Sequence, residues 1–214
     1  MKKFRRTKTD VPVESVPVVA KKQKRIWAIA IILVMAMSVV GFLTFDYSGM
    51  EKYNGFKIVQ VNDRTWKVVT IPDLLFYSPP KQLASFPLTE EFMLHLKAAP
   101  VLFFTSPPGD INNDTINAVV FDLVWPFAQR DAVIRHGSTA ANTSFPFVAC
   151  GNATASVPVV VLQTGINRSL DRAGACFTFT GQSTRDFVEF RDRILYGLYD
   201  VIPDASLVHA GDSP

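Results

Sequence analysis

The side chains able to do chemistry are few and far apart. Cys150 and Cys176 are the only cysteines of the 214-residue chain. They leave no Cys-x-x-Cys for dithiol exchange and no four-cysteine zinc site. His95, His136 and His209 each stand alone, with no His-x-x-x-His or Cys-x-x-His pairing. Gly-x-Gly-x-x-Gly, phosphate-loop and Gly-x-Ser-x-Gly patterns are missing as well. The densest polar cluster is Asp110-Ile-Asn112-Asn113-Asp114. Alternating carboxylates and amides can wrap Ca²⁺, but Asp114 is out of phase and no Glu follows at EF-hand spacing. The cluster therefore reads as a loop followed by a helix cap. Asp186, Glu189, Arg191, Asp192 and Arg193 read as the solvated face of a helix. No catalytic residue, cofactor or metal ligand is expected, and enzyme activity is not favoured.

Modification chemistry has more support. Asn113-Asp-Thr, Asn142-Thr-Ser, Asn152-Ala-Thr and Asn167-Arg-Ser are glycosylation sequons, of use only outside the cytoplasm. Asn113 also stands near a helix start and can serve as its cap.

The charge distribution says which part lies outside. The net charge is +3, but residues 1–25 hold nine basic and two acidic residues, +7, whereas residues 46–214 hold 13 basic and 17 acidic, −4. Between them Ile26–Phe45 runs twenty residues without a charge. A helix of that length spans roughly 30 Å, the thickness of a bilayer's hydrocarbon core. A cleaved signal peptide has a shorter apolar region, about 7–15 residues, behind a shorter basic one. An uncleaved signal anchor is therefore expected, contacting membrane lipid through residues 26–45. The basic cluster Lys21–Arg25 places the N-terminus in the cytoplasm and the rest outside. The basicity is a topology signal, so no nucleic-acid partner is expected.

An exterior domain sits in a compartment that permits disulfides. An even pair of cysteines there favours one Cys150–Cys176 bridge over two buried thiols. The expected organisation is a basic cytoplasmic tail (1–25), the anchor (26–45), a linker (46–55), an exterior α/β (α+β) domain (56–203) and a flexible tail (204–214).

Within that domain, Phe56–Val61 and Trp66–Ile71 read as a hairpin, and Leu74–Tyr77 as a short third strand. Thr89 caps a helix reaching Lys97. Val101–Thr105 reads as a central strand, broken by Ser106-Pro-Pro-Gly-Asp110. A helix follows over 114–129, with Ile116, Val119, Val120, Leu123, Val124 and Phe127 as its apolar stripe. Pro126 kinks or ends it. Ala132–Arg135 is a weak strand and 137–156 a long surface loop. Val157–Leu162 and Ala175–Thr180 are strands. A capping box at Ser183–Asp186 opens the last helix, whose apolar face is Phe187, Phe190, Ile194, Leu195 and Leu198.

This order resembles a thioredoxin-like domain. Val157-Pro158 sits where that fold carries its cis-proline, and Ser106–Asp110 where it carries its redox cysteines; a copy without them cannot exchange dithiols. The C-terminal third also resembles single-pass archaeal membrane proteins. The shared residues are Cys150, Val157-Pro158-Val159, Gly174-Ala175-Cys176 and Asp192-Arg193-Ile194-Leu195-Tyr196, with Tyr53-Asn54-Gly55-Phe56-Lys57 near the anchor. That likeness implies location, disulfide and architecture, and makes Asp192 and Arg193 candidates for a buried pair; it implies no activity. The expected function is a membrane-anchored, non-catalytic binding or cell-envelope protein with a protein partner outside. The alternative is an envelope enzyme or redox helper of thioredoxin-like descent.

Overall fold

The computed structural model describes Trp27, residues 29–35, Met37, and residues 50–71, 73–141 and 143–203. The chain divides into two compact units, residues 1–48 and 49–214. In the first unit the described residues are helical, and all are exposed. The remainder of Ile26–Phe45 lies outside the described residues, as do residues 1–25 and 204–214. Among the described residues no helix is long and apolar enough to cross a membrane.

The second unit is mixed α/β with two sheets. Its first sheet is an antiparallel meander of β1 (Met50–Tyr53), β2 (Phe56–Asn62) and β3 (Thr65–Val68). The strand β1 corrects the linker expected at 46–55. Its signal was the Asn54-Gly55 dipeptide, whose φ values of 47° and 81° are those of a two-residue hairpin turn. The segment expected as a third strand at Leu74–Tyr77 forms only an isolated bridge, Trp66 to Phe76.

The second sheet has the order β5-β4-β6-β8-β7. Its strands are β4 (Val101–Ser106), β5 (Val133–Ser138), β6 (Val159–Thr164), β7 (Ser169–Ala173) and β8 (Cys176–Gly181). The first four in that order run parallel, and β7 is an antiparallel edge. The helices are α1 (Pro80–Leu83), α2 (Glu90–Ala98), α3 (Asn113–Ala128) and α4 (Thr184–Leu198), with a 3₁₀ turn at Cys150–Asn152.

Alternation along the strands sorts the side chains onto two faces. Leu102, Phe104, Val160, Leu162, Phe177 and Phe179 enter the main core with the buried faces of α2, α3 and α4. Phe179 stacks on Phe190 with ring centroids 4.2 Å apart, and Phe177 meets Phe92 edge-on at 5.0 Å. On α3 the stripe is Ile116, Val119, Val120, Leu123 and Phe127; Val124, expected within it, is exposed. Eight residues past Ile116, it lies about 80° around the helix, at the stripe's edge. Pro126 lies inside the helix, near enough to the end that little of the backbone ladder is lost.

Among the described residues no α-helix covers the opposite face. Val159, Val161 and Cys176 form a smaller cluster with Val148 from the long loop. Thr105 Oγ1 donates to the carbonyl of Val148 at 3.2 Å. The Cys150–Cys176 disulfide ties the 3₁₀ turn to the start of β8. The C-terminal part of the sheet and its helix run β6–β7–β8–α4, with β8 lying between β6 and β7. The Val157–Pro158 peptide is trans. The coarse α/β expectation therefore holds, without the cis-proline that the thioredoxin-like order implied.

The charged group on α4 overturns the expected solvated face. Glu189, Arg191, Asp192 and Arg193 are all buried, Asp192 completely. The Asp192 carboxylate accepts from the backbone N–H of Tyr77 at 2.6 Å and of Ser78 at 2.8 Å. It also accepts from Arg191 Nη1 at 2.6 Å. That same nitrogen reaches the carbonyl of Leu75 at 2.7 Å, and Arg191 Nε lies 3.3 Å from Asp122 of α3. Tyr196 donates to the carbonyl of Ser78 at 2.9 Å and stacks on Phe76 at 4.1 Å. Side chains of α4 thus satisfy backbone groups that no strand partner reaches.

Burial pushes the Asp192 carboxyl up from 3.8 to about 6, against the pull of Arg191 and the two N–H groups. Between those values the folded state binds more protons than the unfolded one. Stability should therefore fall, by roughly 3 kcal/mol, as pH climbs from about 4 to about 6, and flatten above. Urea unfolding across that range should show the slope, and Asp192→Asn should abolish it. Reducing the disulfide should separately remove about 3–4 kcal/mol, read as a lower urea midpoint with and without reductant.

Candidate functional site

The parallel strands β4 and β5 end side by side, with Ser106 opposite Ser138. Beyond them the chain opens a cavity of about 190 Å³. Ser106, Pro108 and Gly109 form one wall, and Asn113 and Asn117 of α3 the second. Gly137, Ser138 and the loop residues Thr143, Ser144 and Phe145 complete it.

Local packing explains each position. Gly109 has φ of 79°, which lets the chain turn from β4 into α3. Gly137 is required by close approach, since a Cβ there would meet Val148 Cγ2 at 3.0 Å. The loop is laid along β5 by two backbone bonds of 2.9 Å, Ser138 N to Pro146 O and Val148 N to Ser138 O. Ser106 and Ser138 are 95% and 96% buried. Ser106 donates to Asn113 Oδ1 at 3.4 Å, and Ser138 Oγ accepts from the N–H of Ala140 at 3.3 Å. Asn117 Oδ1 is buried and has no hydrogen-bond partner. The Phe145 ring packs on His136 at 4.4 Å. Burial lowers the His136 pKa, which keeps the imidazole neutral at pH 7.

No residue lining the cavity titrates near neutral pH. Asp110, the one carboxylate of the loop, is turned to β6. Its oxygens accept from the Thr164 N–H at 2.7 Å, the Thr164 hydroxyl at 2.5 Å and the Asn112 N–H at 2.8 Å. Burial alone would raise its pKa, but the Thr164 hydroxyl and the two N–H groups hold it below the ordinary value. The clasp occupies the crevice between the carboxyl ends of β4 and β6, where the chain reverses direction across the sheet and open α/β folds most often bind ligands. The usable space lies one strand over. A second cavity, about 240 Å³, lies between Trp125, Tyr199 and the 70–74 turn, with Asp73 its only charged wall.

The residues singled out from sequence fall in different places. Cys150 and Cys176 are bonded to each other. Asn113 is the first residue of α3 and lines the cavity as an acceptor, partly buried. Asn152 is exposed in the 3₁₀ turn, its Oδ1 accepting from the Ala149 N–H at 2.9 Å. Asn167 is exposed in the β6–β7 link. Asn142 and His209 lie outside the described residues. His95 is half-buried against Phe177 and bonds Glu91 O at 2.8 Å. Among the described residues no three His, Cys, Asp or Glu side chains gather as a metal site would require. Sequence reasoning located the Ser106–Asp110 loop but missed Asn117 and Ser138. The signal for Asn117 was its place one turn after Asn113 on the same helix face.

Comparison with known proteins adds nothing to this geometry: no family model, curated protein or solved structure matches the chain.

Asp110→Ala should lower stability by about 1–2 kcal/mol through loss of three charge-assisted bonds at a partly solvated site. Because the folded-state pKa is depressed, the difference from the parent protein should be full above the ordinary carboxylate range. It should vanish as pH falls through the native pKa, as chemical denaturation at several pH values would show.

Proposed function

We propose that the chain is a single-pass membrane protein, anchored by residues 26–45, whose 49–214 unit faces the exterior and binds rather than catalyses. The observation that carries the binding role is the cavity beyond β4 and β5. It is lined by hydroxyls, amides and one aromatic ring, with no nucleophile–base pair and no titrating group. General acid–base and nucleophilic chemistry need such groups within hydrogen-bond reach of the reacting atoms. Anchorage is supported by the uncharged twenty-residue run behind a +7 segment. The helical residues between Trp27 and Met37 that are described are apolar and all exposed, as suits a lipid-facing helix. The bonded cysteines fit an oxidising exterior. Exposed Asn152 and Asn167 are the glycosylation candidates best placed for a transferase, and the likeness to archaeal single-pass proteins agrees with this placement.

The alternative, a redox helper of thioredoxin-like descent, draws on the order β4–α3–β5. Both cysteines are already joined, however, and neither lies at the Ser106–Asp110 loop.

Protease added to intact cells should release fragments of residues 46–214 and leave the N-terminal segment with the membrane. Full protection of 46–214 would reverse the topology. The purified full-length protein should show no turnover in a thiol–disulfide exchange assay, and catalysed exchange would restore the redox reading.

A further inference from the structure

The outward face of α3 is apolar where a solvated helix would be polar. Phe121 is 78% exposed and Trp125, one turn on, is 60% exposed. With Ala118 and Ala128, also exposed, they form a stripe at 3-4-3 spacing, the seam spacing of paired helices. It lies opposite the buried stripe of Ile116, Val119, Leu123 and Phe127. Scattered exposed apolar residues need no explanation, but two aromatic rings on one stripe mark a docking surface.

The stripe reads the same from either end: small, large, large, small, centred on Leu123. Laid antiparallel against itself, it sets Phe121 of one copy beside Trp125 of the other and Ala118 against Ala128, as an isologous two-fold interface requires. The charges agree with that register. Asp114 in the first turn comes near Arg130, just past the end of the second copy's helix. Asp122, beside the axis, is answered within its own chain by Arg191 at 3.3 Å, so pairing brings no bare carboxylates together. Each copy also carries a hole for the other's ring. The cavity of about 240 Å³ beside Trp125 and Gln129 has buried Ile71 and Leu74 in its walls, and about 150 Å³ suffices for a benzene ring. Val124, Leu75 and Tyr77, all roughly half-exposed, extend the apolar surface. Two copies would together cover roughly 1,000 Å², the least that a specific pair needs.

We propose that the 49–214 unit pairs with a second copy of itself, α3 against α3 in antiparallel register, with the Phe121 ring of each copy seated in the cavity beside Trp125 of the other.

The test is the mass of the full-length protein in detergent micelles, read by sedimentation equilibrium. The parent should dimerise with a Kd of roughly 1–100 µM, as suits a small interface. Phe121→Ala should weaken the pairing by about tenfold or more, the effect of removing a central aromatic anchor. The unfolding midpoint of the dilute monomer should not move, because the ring is exposed there. Ile166→Ala, also exposed but on the β6–β7 link, should pair as the parent does. Val124→Cys, next to the two-fold axis, should form an inter-chain disulfide on mild oxidation, and Ile166→Cys should not. A dimer held instead by residues 26–45 would ignore Phe121→Ala, and such indifference would overturn the assignment. So would failure of Val124→Cys to cross-link. A parent that stays monomeric up to about 100 µM would leave the face to lipid or to an unlike protein and overturn it as well.

Discussion

A carboxylate taken out of water must be answered by donors, and the donors that answer Asp192 hold the centre of this domain together. Two of them are backbone N–H groups of Tyr77 and Ser78, more than a hundred residues away in sequence. The third is Arg191, which in turn reaches Leu75 O and Asp122. One carboxylate therefore fixes the 75–78 segment onto α4 and, through Arg191, couples α4 to α3. The segment passes this on to the small sheet through the Trp66–Phe76 bridge. A hydrophobic replacement of similar volume could match the burial energy. It could not satisfy the three backbone groups of the segment, whose desolvation would then stand uncompensated.

The same sheet is covered in unlike ways on its two faces, and the site follows from that difference. Helices bury the Phe-rich face mainly with apolar side chains. The other face is covered by a loop, and loops bring backbone polar groups and small hydroxylated residues with them. Where the loop meets the carboxyl ends of β4 and β5, the covering is polar and incomplete, and a cavity remains. The disulfide anchors the far end of that loop to β8, so the wall formed by Thr143, Ser144 and Phe145 is held by the bridge and by the two bonds along β5.

What could be read from the sequence divides along physical lines. The long helices and the central strands were legible because their apolar spacing is set by burial on one side. The edge strands were not. Ser169–Ala173 (SLDRA) carries two charges in five residues, as edge strands do when they must resist further pairing, and so lacks a strand's hydrophobic signature. Met50–Tyr53 was masked by its polar composition, although the Asn54-Gly55 turn beside it announced a hairpin. The buried charges of α4 were legible only through a resemblance, which suggested an Asp192–Arg193 pair; the charged partner of Asp192 is instead Arg191, and its other partners are backbone groups brought up by tertiary structure, which no local pattern records. The loop at Ser106 could be located from the strand–helix boundary alone. Its polar companions could not, because Ser138 enters only through the parallel register of β4 and β5.

Several of the domain's buried or partly buried ionisable groups are committed to its scaffold, and this shapes the site that remains. Asp192 secures the 75–78 segment, Asp110 closes the crevice at β6, and Glu189 takes Arg168 at 2.8 Å and Arg185 at 2.7 Å. The cavity is left neutral. Hydrogen bonds between neutral groups contribute only about 0.5–1.5 kcal/mol each once exchange with water is counted. A handful of them cannot hold a small ligand tightly against the entropy lost on binding, about 4 kcal/mol or more. Single-site affinity is therefore weak by construction. The proposed membrane tether would change the consequence of that weakness. Copies held on one surface against a repeating ligand engage it together, and the effective concentration of the second site raises avidity by about 10²–10⁴ without any new contact. A weak neutral site would thus, on the proposed anchored domain, suit recognition of a repetitive surface better than capture of a free small molecule.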